Sequence, residues 1–365
     1  MEFQERDSCR GKGSSAVRKM SQSVMAEPPT REGGESLVRV SNYPPVEAVT
    51  RVKPRDPAGE AVVCTLRAAL SRIATHEPEA KRGEPEGVHR LRSASRRLRS
   101  ELRALKDLVV PQWQERLEVD FKWLAGLLGD VRDLDILLAR LREASLKFER
   151  SDVERPALSP LLQELEGRRA RAARGVSDIL DSERYRALLA TLERAAEHPP
   201  LAETAGEACR VALPPAAMAA WHRLRKAARN LTPDDPDEEF HEARKRAKSA
   251  RYTAELIAPL LGRRAARDSG DFIRLTARVQ DTLGEHQDAL ITMGELEGAL
   301  SGHADDSALV ECAGALVDEQ RKRARAARAR FFKIWSQLDH KKFRRWMKPR
   351  LTASSVAVRK KTSSM

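Results

Sequence analysis

His89 opens the run His-Arg-Leu-Arg-Ser-Ala-Ser-Arg-Arg-Leu-Arg, and 152 residues later His241 opens His-Glu-Ala-Arg-Lys-Arg-Ala-Lys-Ser-Ala-Arg. In both runs a basic residue stands three, seven and ten positions after the histidine. These are Arg92, Arg96 and Arg99 in the first and Arg244, Lys248 and Arg251 in the second. On a helix these offsets fall on one narrow stripe. The first stripe continues to Arg103, about 21 Å from its start at 1.5 Å per residue, while Leu91, Ala94, Leu98, Leu102 and Leu105 occupy a separate apolar face. Guanidinium forks grip oxyanions, an ammonium supplies a compact charge, and an imidazole donates or accepts a hydrogen bond. The chemistry available to such a row is anion binding.

Like charges three or four positions apart repel, so Arg92/Arg96, Arg96/Arg99 and Arg99/Arg103 together destabilise an isolated helix by roughly 1 kcal/mol. No carboxylate lies along the first stripe before Asp107. A solvated face mixes signs, as Arg97 and Glu101 do elsewhere on the same stretch. A polyanion would turn the repulsion into binding energy, and the alternative is that carboxylates on neighbouring helices meet the arginines. Two copies of the stripe favour the ligand.

Composition points the same way. The 365 residues carry 67 Lys and Arg against 54 Asp and Glu, a net charge of +13, which calls for an anionic partner such as nucleic acid, polyphosphate or a membrane surface. Only 16 residues are aromatic, and none falls between His89 and Lys106, where a binder of single-stranded nucleic acid would stack bases. The pattern suits phosphate without bases. Cys9, Cys64, Cys209 and Cys312 have no CxxC spacing, so neither a zinc site nor a disulfide framework is expected, and a reducing cytoplasm is the natural setting. No window approaches the 18 or so apolar residues of a membrane span, and the first residues lack the apolar stretch of an export signal.

The elements that position the stripes are helices. Eight helical stretches are expected near 59–77, 85–109, 112–148, 157–197, 215–230, 236–261, 264–299 and 305–340, with no alternating strand. Pro and Gly mark most junctions. Asp235-Pro236-Asp237-Glu238 supplies a cap, a first-turn proline and acids matched to the helix dipole. Leu127-Leu128-Gly129-Asp130-Val131-Arg132-Asp133 recurs as Thr282-Leu283-Gly284-Glu285-His286-Gln287-Asp288, 155 residues later. Gly129 and Gly284 then sit inside helices, where glycine costs about 1 kcal/mol relative to alanine, so a close helix contact is expected to compensate. The expected architecture is all-α, a tandem repeat of long antiparallel helices forming two pseudo-symmetric four-helix bundles. Residues 1–54 and 351–365 read as disordered tails flanking a folded region at 55–350, whose halves are 55–205 and 206–350.

Four segments carry a family resemblance: His-x2-Arg-x3-Arg-Arg-x-Arg at His89, His-x2-Arg-Lys-x2-Lys-x2-Arg-Tyr at His241, Leu-Gly-x2-Arg-Asp at Leu128 and Leu-Gly-Glu-His-Gln-Asp at Leu283. The chain resembles the CHAD family, the conserved histidine α-helical domain, over about residues 55–348. The resemblance implies two pseudo-symmetric helical bundles whose basic surfaces line a central groove or pore that binds inorganic polyphosphate, often at polyphosphate granules. By matching positions it implies a binding set of His89, Arg92, Arg96, Arg99 and Arg103 with His241, Arg244, Lys245, Lys248 and Arg251. Glu255 stands where the first copy has Arg103, so the second stripe is less basic at its far end, and Arg251 is a candidate partner for it. Many members carry a CYTH triphosphatase-like domain with an early Glu-x-Glu-x-Lys motif, which this sequence lacks.

Other basic and acidic positions have structural alternatives to a binding role. His222, Arg225 and Arg229 repeat the +3 and +7 spacing on the fifth stretch and make Arg225 and Arg229 candidates for a further binding wall. Arg168, Arg171 and Arg174, and likewise Arg321, Arg325 and Arg328, read as solvated faces. Asp130, Asp133, Glu285 and Asp288 are too sparse for a two-metal centre and are expected to orient stripe arginines. Gly11-Lys12-Gly13-Ser14 is no P-loop, lacking the earlier glycine and a preceding strand. The sequence therefore leads to a cytoplasmic, non-enzymatic polyphosphate binder without cofactor or metal, compatible with granule proteins as further partners. The rivals are a nucleic-acid-binding protein and a polyphosphate- or triphosphate-processing enzyme.

Overall fold

Proline, serine and glycine set the helix boundaries, and the computed structural model, which describes residues 52–148, 158–302 and 307–348, shows where each acts. In the first half, α1 (Ala58–Lys81), α2 (Pro85–Ala104), α3 (Pro111–Phe148), α4 (Ser159–Leu180) and α5 (Glu183–Glu197) follow one another. In the second, α6 (Cys209–Ala212), α7 (Pro214–Ala228), α8 (Asp237–Leu260), α9 (Arg263–Asp268), α10 (Gly270–Gly302) and α11 (Ser307–Leu338) do so, and a 3-10 helix (Lys341–Met347) closes the described chain. Strand pairing among the described residues is limited to isolated bridges, Pro57 with Ala208 and Val109 with Leu201. No described helix is long and apolar enough to cross a membrane. The tails expected at 1–54 and 351–365 lie outside the described residues apart from 52–54, of which Val52 is buried in the core.

Two of the expected stretches are each two helices. The stretch at 157–197 breaks at Asp181-Ser182, because the Ser182 hydroxyl accepts a hydrogen bond from the Tyr185 N–H (3.2 Å) and caps α5. Serine followed by an acid is a helix-start signal, and here it outweighed the continuing apolar period. Tyr185 is itself buried, and its hydroxyl donates to Glu77 of α1 at 2.7 Å, fixing α5 to α1. The stretch at 264–299 breaks at the buried Ser269. The expected cap of α8 also differs: Pro236 occupies the capping position without a side-chain bond, and Asp235 instead accepts from the Thr232 N–H at 2.8 Å. Between α1 and α2 the chain turns so tightly that a Cβ on Gly87 would lie 2.4 Å from the Glu79 Cβ, so only glycine fits.

The repeat is visible in the packing. α1 packs on α2, α2 on α3 and α3 on α4 in the first half, and α7 packs on α8, α8 on α10 and α10 on α11 in the second. The core, however, does not divide at the repeat boundary. One continuous apolar cluster runs from Leu66, Leu91, Leu98 and Phe121 in the first half to Trp221, Phe240, Phe272 and Phe331 in the second. A smaller cluster joins the far ends of α3 and α4 (Leu137, Leu141, Leu161, Leu165) to those of α10 and α11 (Leu296, Leu309, Leu316). Much of the scarce aromatic content is spent inside the second half, where Trp221 stacks on Trp335 and meets Phe272 edge-on, both at 5.8 Å.

α2 and α8, the two helices that carry the stripes, pack directly on each other. The Arg97/Glu101 pair, expected to be solvated, is buried at this junction, with 7% and 2% of each residue exposed. Arg97 bonds Glu101 at 2.8 Å and reaches Glu255 of α8 at 3.2 Å, while Arg72 of α1 bonds Glu101 at 2.7 Å. Glu255 also receives Arg251 (3.0 Å), and the Tyr252 ring lies beneath the Arg97 and Arg251 guanidinium groups. Buried ions of opposite sign are tolerated only when each finds its partner. Arg97→Leu, which leaves Glu101 and Glu255 short of a cation, is therefore expected to lower stability by about 3 kcal/mol. Urea unfolding would show this as a lower midpoint with an unchanged slope, and a loss below 1 kcal/mol would contradict the assignment.

Candidate polyanion-binding site

The first stripe projects from α2 and the second from α8, and the structure brings their middle residues together. Arg92, Arg96, Arg244 and Lys248 form one cationic group: Arg244 weighs on Arg92 and Arg96, and Arg96, Arg244 and Arg92 all weigh on Lys248. Burial and these neighbours act in the same direction. Desolvation first, then the charges of Arg92 and Arg244, pull the Arg96 guanidinium down to about 10. Lys248 is half-buried beside Tyr252, and desolvation followed by four neighbouring guanidinium groups holds its ammonium well below the ordinary lysine range. Shifts of this direction mean that burial and like charges together outweigh the nearby carboxylates.

Direct ion pairs are scarce there, although Asp133, Asp281 and Asp288 stand near enough to act on Arg92, Arg132 and Arg244. Among the described residues, Arg96, Arg99, Arg132, Arg244 and Lys248 form no ion pair, and Arg92 has only a long contact to Asp133 at 3.6 Å. The Nε atoms of Arg92, Arg99, Arg132 and Arg244 are buried without a hydrogen-bond partner, as is Nδ1 of His89. Buried polar groups are ordinarily satisfied, and these unmet atoms, like Nε and Nη1 of Arg72, are exceptions to that rule.

The repeated glycines explain how the guanidinium groups fit. A Cβ on Gly129 would stand 3.4 Å from both Nε and Nη2 of Arg92, and one on Gly284 would stand 3.5 and 3.6 Å from the same atoms of Arg244. The close contact expected at these glycines is thus with a stripe arginine of the same half, laid flat across α3 or α10. Equivalent arginines lie over equivalent glycines in the two halves.

The histidines do not behave alike. His241 Nδ1 lies 2.8 Å from Oε1 of Gln287, a protein partner that leaves no unmet atom at Nδ1. His89 is held neutral: burial and then the charge of Arg132 drive its imidazole down to about 4, with Glu86 opposing. Arg132 and Gln287 are equivalent positions of the repeat, so a cation beside one histidine is replaced by an amide beside the other. Arg132 was not among the residues singled out from the sequence. It stands in the repeated Leu-Gly segment, three positions after Gly129, but its uncharged counterpart concealed it.

Several expected binding residues have other duties or lie elsewhere. Arg251 is buried and committed to Glu255 and Gln280, as its spacing from Glu255 suggested. Arg103 pairs with Glu118 at 2.6 Å, Lys245 with Glu242 at 2.5 Å and Arg225 with Asp339 at 2.9 Å, while Arg229 is exposed just beyond α7. Arg328, read as solvated, is half-buried and fastens the loop before α8 to α11: it donates to the carbonyls of Pro233 and Asp235 and pairs with Asp237. Of the four acids expected to orient stripe arginines, Asp133 meets Arg92, Asp288 meets Arg140 at 3.2 Å, Glu285 meets Arg330 and Asp130 is exposed. Tyr252, the aromatic ring beside the cluster, is buried at 3% exposure and offers no open face for a base.

Comparison with known proteins agrees with this fold. The chain is 24% identical to PptA from Streptomyces chartreusis, with a TM-score of 0.64 over 77% of this chain and all of that one. It is 23% identical to the CHAD domain from the plant Ricinus communis, with a TM-score of 0.60 over 76% of this chain and 93% of that one. Two uncharacterized proteins from strains of Mycobacterium tuberculosis are each 29% identical over 229 residues, 58% of this chain and 40% of theirs. The chain thus spans about two fifths of the length of these curated relatives. Residues 64–297, including both histidine stripes and both glycine segments, match the family described as the CHAD domain, and the chain belongs to that family.

Proposed function

We propose that the cationic cluster at the α2–α8 junction binds inorganic polyphosphate without catalysis. The observation that carries this reading is the convergence of Arg92, Arg96, Arg132, Arg244 and Lys248, unpaired or barely paired, from both halves of the repeat onto one partly desolvated face. The CHAD family is associated with polyphosphate binding generally. A chain of identical charged units suits a row of donors that offers no aromatic platform, and releasing its counterions supplies the driving force. Arg103, Lys245 and Arg225, each paired with a carboxylate, and the exposed Arg229 are not assigned to the cluster in this reading, and His241 and Arg251 hold the elements that present it. Residence in the cytoplasm, at polyphosphate granules and beside other granule proteins, is the cellular side of the same proposal.

Titration calorimetry with long-chain polyphosphate is expected to give tight, salt-sensitive binding that Arg92→Glu/Arg96→Glu/Arg244→Glu/Lys248→Glu abolishes while the fold persists. If about eight phosphates are neutralised, the log-log salt slope should be on the order of −6, by analogy with single-stranded nucleic acid. A near-flat slope, or a folded variant that binds normally, would remove the site from consideration. Release of phosphate in the presence of magnesium would instead favour the enzyme reading.

His89 provides a second test. Its folded imidazole titrates near 4, below the ordinary 6.5, so folding favours the neutral ring. The associated stability is present above pH 6.5 and is lost as pH falls from there toward 4. A bound polyanion offsets the neighbouring cations and raises the imidazole pKa, so binding takes up protons and tightens as pH falls through that window. NMR titration of the His89 ring with and without tripolyphosphate should show the upward shift, and superimposable curves would argue against ligand at this end of the cluster.

A further inference from the structure

The protein's excess charge is not where its candidate site is. Residues 340–365 contain nine Lys and Arg and no Asp or Glu, which leaves 58 basic against 54 acidic residues in the other 339. Most of the net +13 therefore belongs to the last 26 residues of the sequence, and the described part of that segment is the closing 3-10 helix, Lys341–Met347, with Lys348. This helix is sided. Phe343, Trp346 and Met347 are buried at 9%, 5% and 1% exposure against the second-half core, with Trp346 edge-on to Phe272 at 6.0 Å. Lys341, Lys342, Arg345 and Lys348 are exposed, and none has an ion-pair partner among the described residues. Arg344 lies over the Trp221 ring. α9 packs beside the segment and adds Arg263, Arg264 and Arg267, of which Asp268 contacts only the last two, at 3.6 and 3.8 Å.

From these observations we infer that the face formed by Lys341, Lys342, Arg345 and Lys348 is a second polyanion-binding surface, separate from the α2–α8 cluster, whose partner is the phosphate backbone of a nucleic-acid duplex. Three features select that partner. At about 2.0 Å per residue a 3-10 helix of this length is an open row roughly 14 Å long, and it stands exposed, whereas the α2–α8 cluster is partly buried between helices. An open row matches a rigid surface that already presents dense charge, as a duplex does at about one phosphate per 1.7 Å, whereas a thin flexible chain must be ordered to lie along it. An anionic membrane is the weaker match, because with Phe343 and Trp346 buried in the core only the charges remain to hold it, at about 1 kcal/mol each near the surface. Contacts of this kind fix position without reading sequence, so the predicted binding is independent of base order.

The test uses the full chain in three forms: wild type, Lys341→Gln/Lys342→Gln/Arg345→Gln/Lys348→Gln, and the stripe variant Arg92→Glu/Arg96→Glu/Arg244→Glu/Lys248→Glu. Circular dichroism verifies that each is folded. Fluorescence anisotropy with a mixed-sequence DNA duplex is expected to show binding by wild type and by the stripe variant. The glutamine variant should bind at least about tenfold more weakly, with a log-log salt slope shallower by about four, one for each cation removed. Its affinity for long-chain polyphosphate should be unchanged. That last arm separates this inference from the polyphosphate reading, which in this experiment fails if the stripe variant still binds polyphosphate. Failure of wild type to bind duplex, equal duplex binding by the glutamine variant, a parallel loss of both ligands in that variant, or capture of phosphatidylserine vesicles in place of duplex would each overturn it.

Discussion

Mutual repulsion among cations at the α2–α8 junction is the constraint around which this fold is arranged. Arg92, Arg96, Arg244 and Lys248 are pressed together in a partly desolvated position where each lowers the proton affinity of another. Nothing in that group favours proximity. What holds it is the apolar packing of α2 and α8 against α1, α3, α7 and α10, in a core continuous through both halves, together with the neighbouring network of Arg72, Glu101, Arg97, Glu255 and Arg251, where each charge has a partner. Two sets of arginines of similar sequence appearance thus act in opposite senses a turn apart: one ties the halves together, and the other is held against its own electrostatics.

The distinction rests on how each guanidinium is satisfied rather than on its position in the sequence. Arg97 and Arg251 are buried and saturated; Arg92 and Arg244 lie over glycines with Nε unmet. Exposure alone does not pick out the cluster, since Arg229 and Lys245 are more accessible and yet are not among the charges that act most on Arg92, Arg96 and Lys248. The two glycines belong to the same arrangement as the arginines, because a Cβ at either place would already touch the guanidinium that lies across it, leaving no room for a longer side chain unless the arginine moves.

Helical class, the repeat and the two stripes were legible from periodicity, because the offsets of three, seven and ten are backbone geometry and do not depend on tertiary context. The pairing of Arg251 with Glu255 was legible for the same reason, being an i, i+4 relation. Relations between helices were not. The burial of Arg97 and Glu101, the divergence of Arg103 toward Glu118, the anchoring role of Arg328 and the membership of Arg132 all depend on which neighbouring helix faces the residue. The breaks at Ser182 and Ser269 were present in the sequence as capping residues but were masked by an apolar pattern that continues across them.

The shared core has a mechanical consequence for the cluster. Two bundles with separate cores could swing apart and let like charges relax, closing again only when an anion arrived. With one core running through both halves, separating α2 from α8 would expose Leu91, Leu98, Phe240 and their neighbours to water, a far larger penalty than the repulsion it would relieve. The donors consequently stand in position before any ligand is present, and association need not be preceded by a closing motion. Under the proposed reading, such a site would capture a polyanion at a rate governed by diffusion and electrostatic steering, with its selectivity in how slowly the anion leaves.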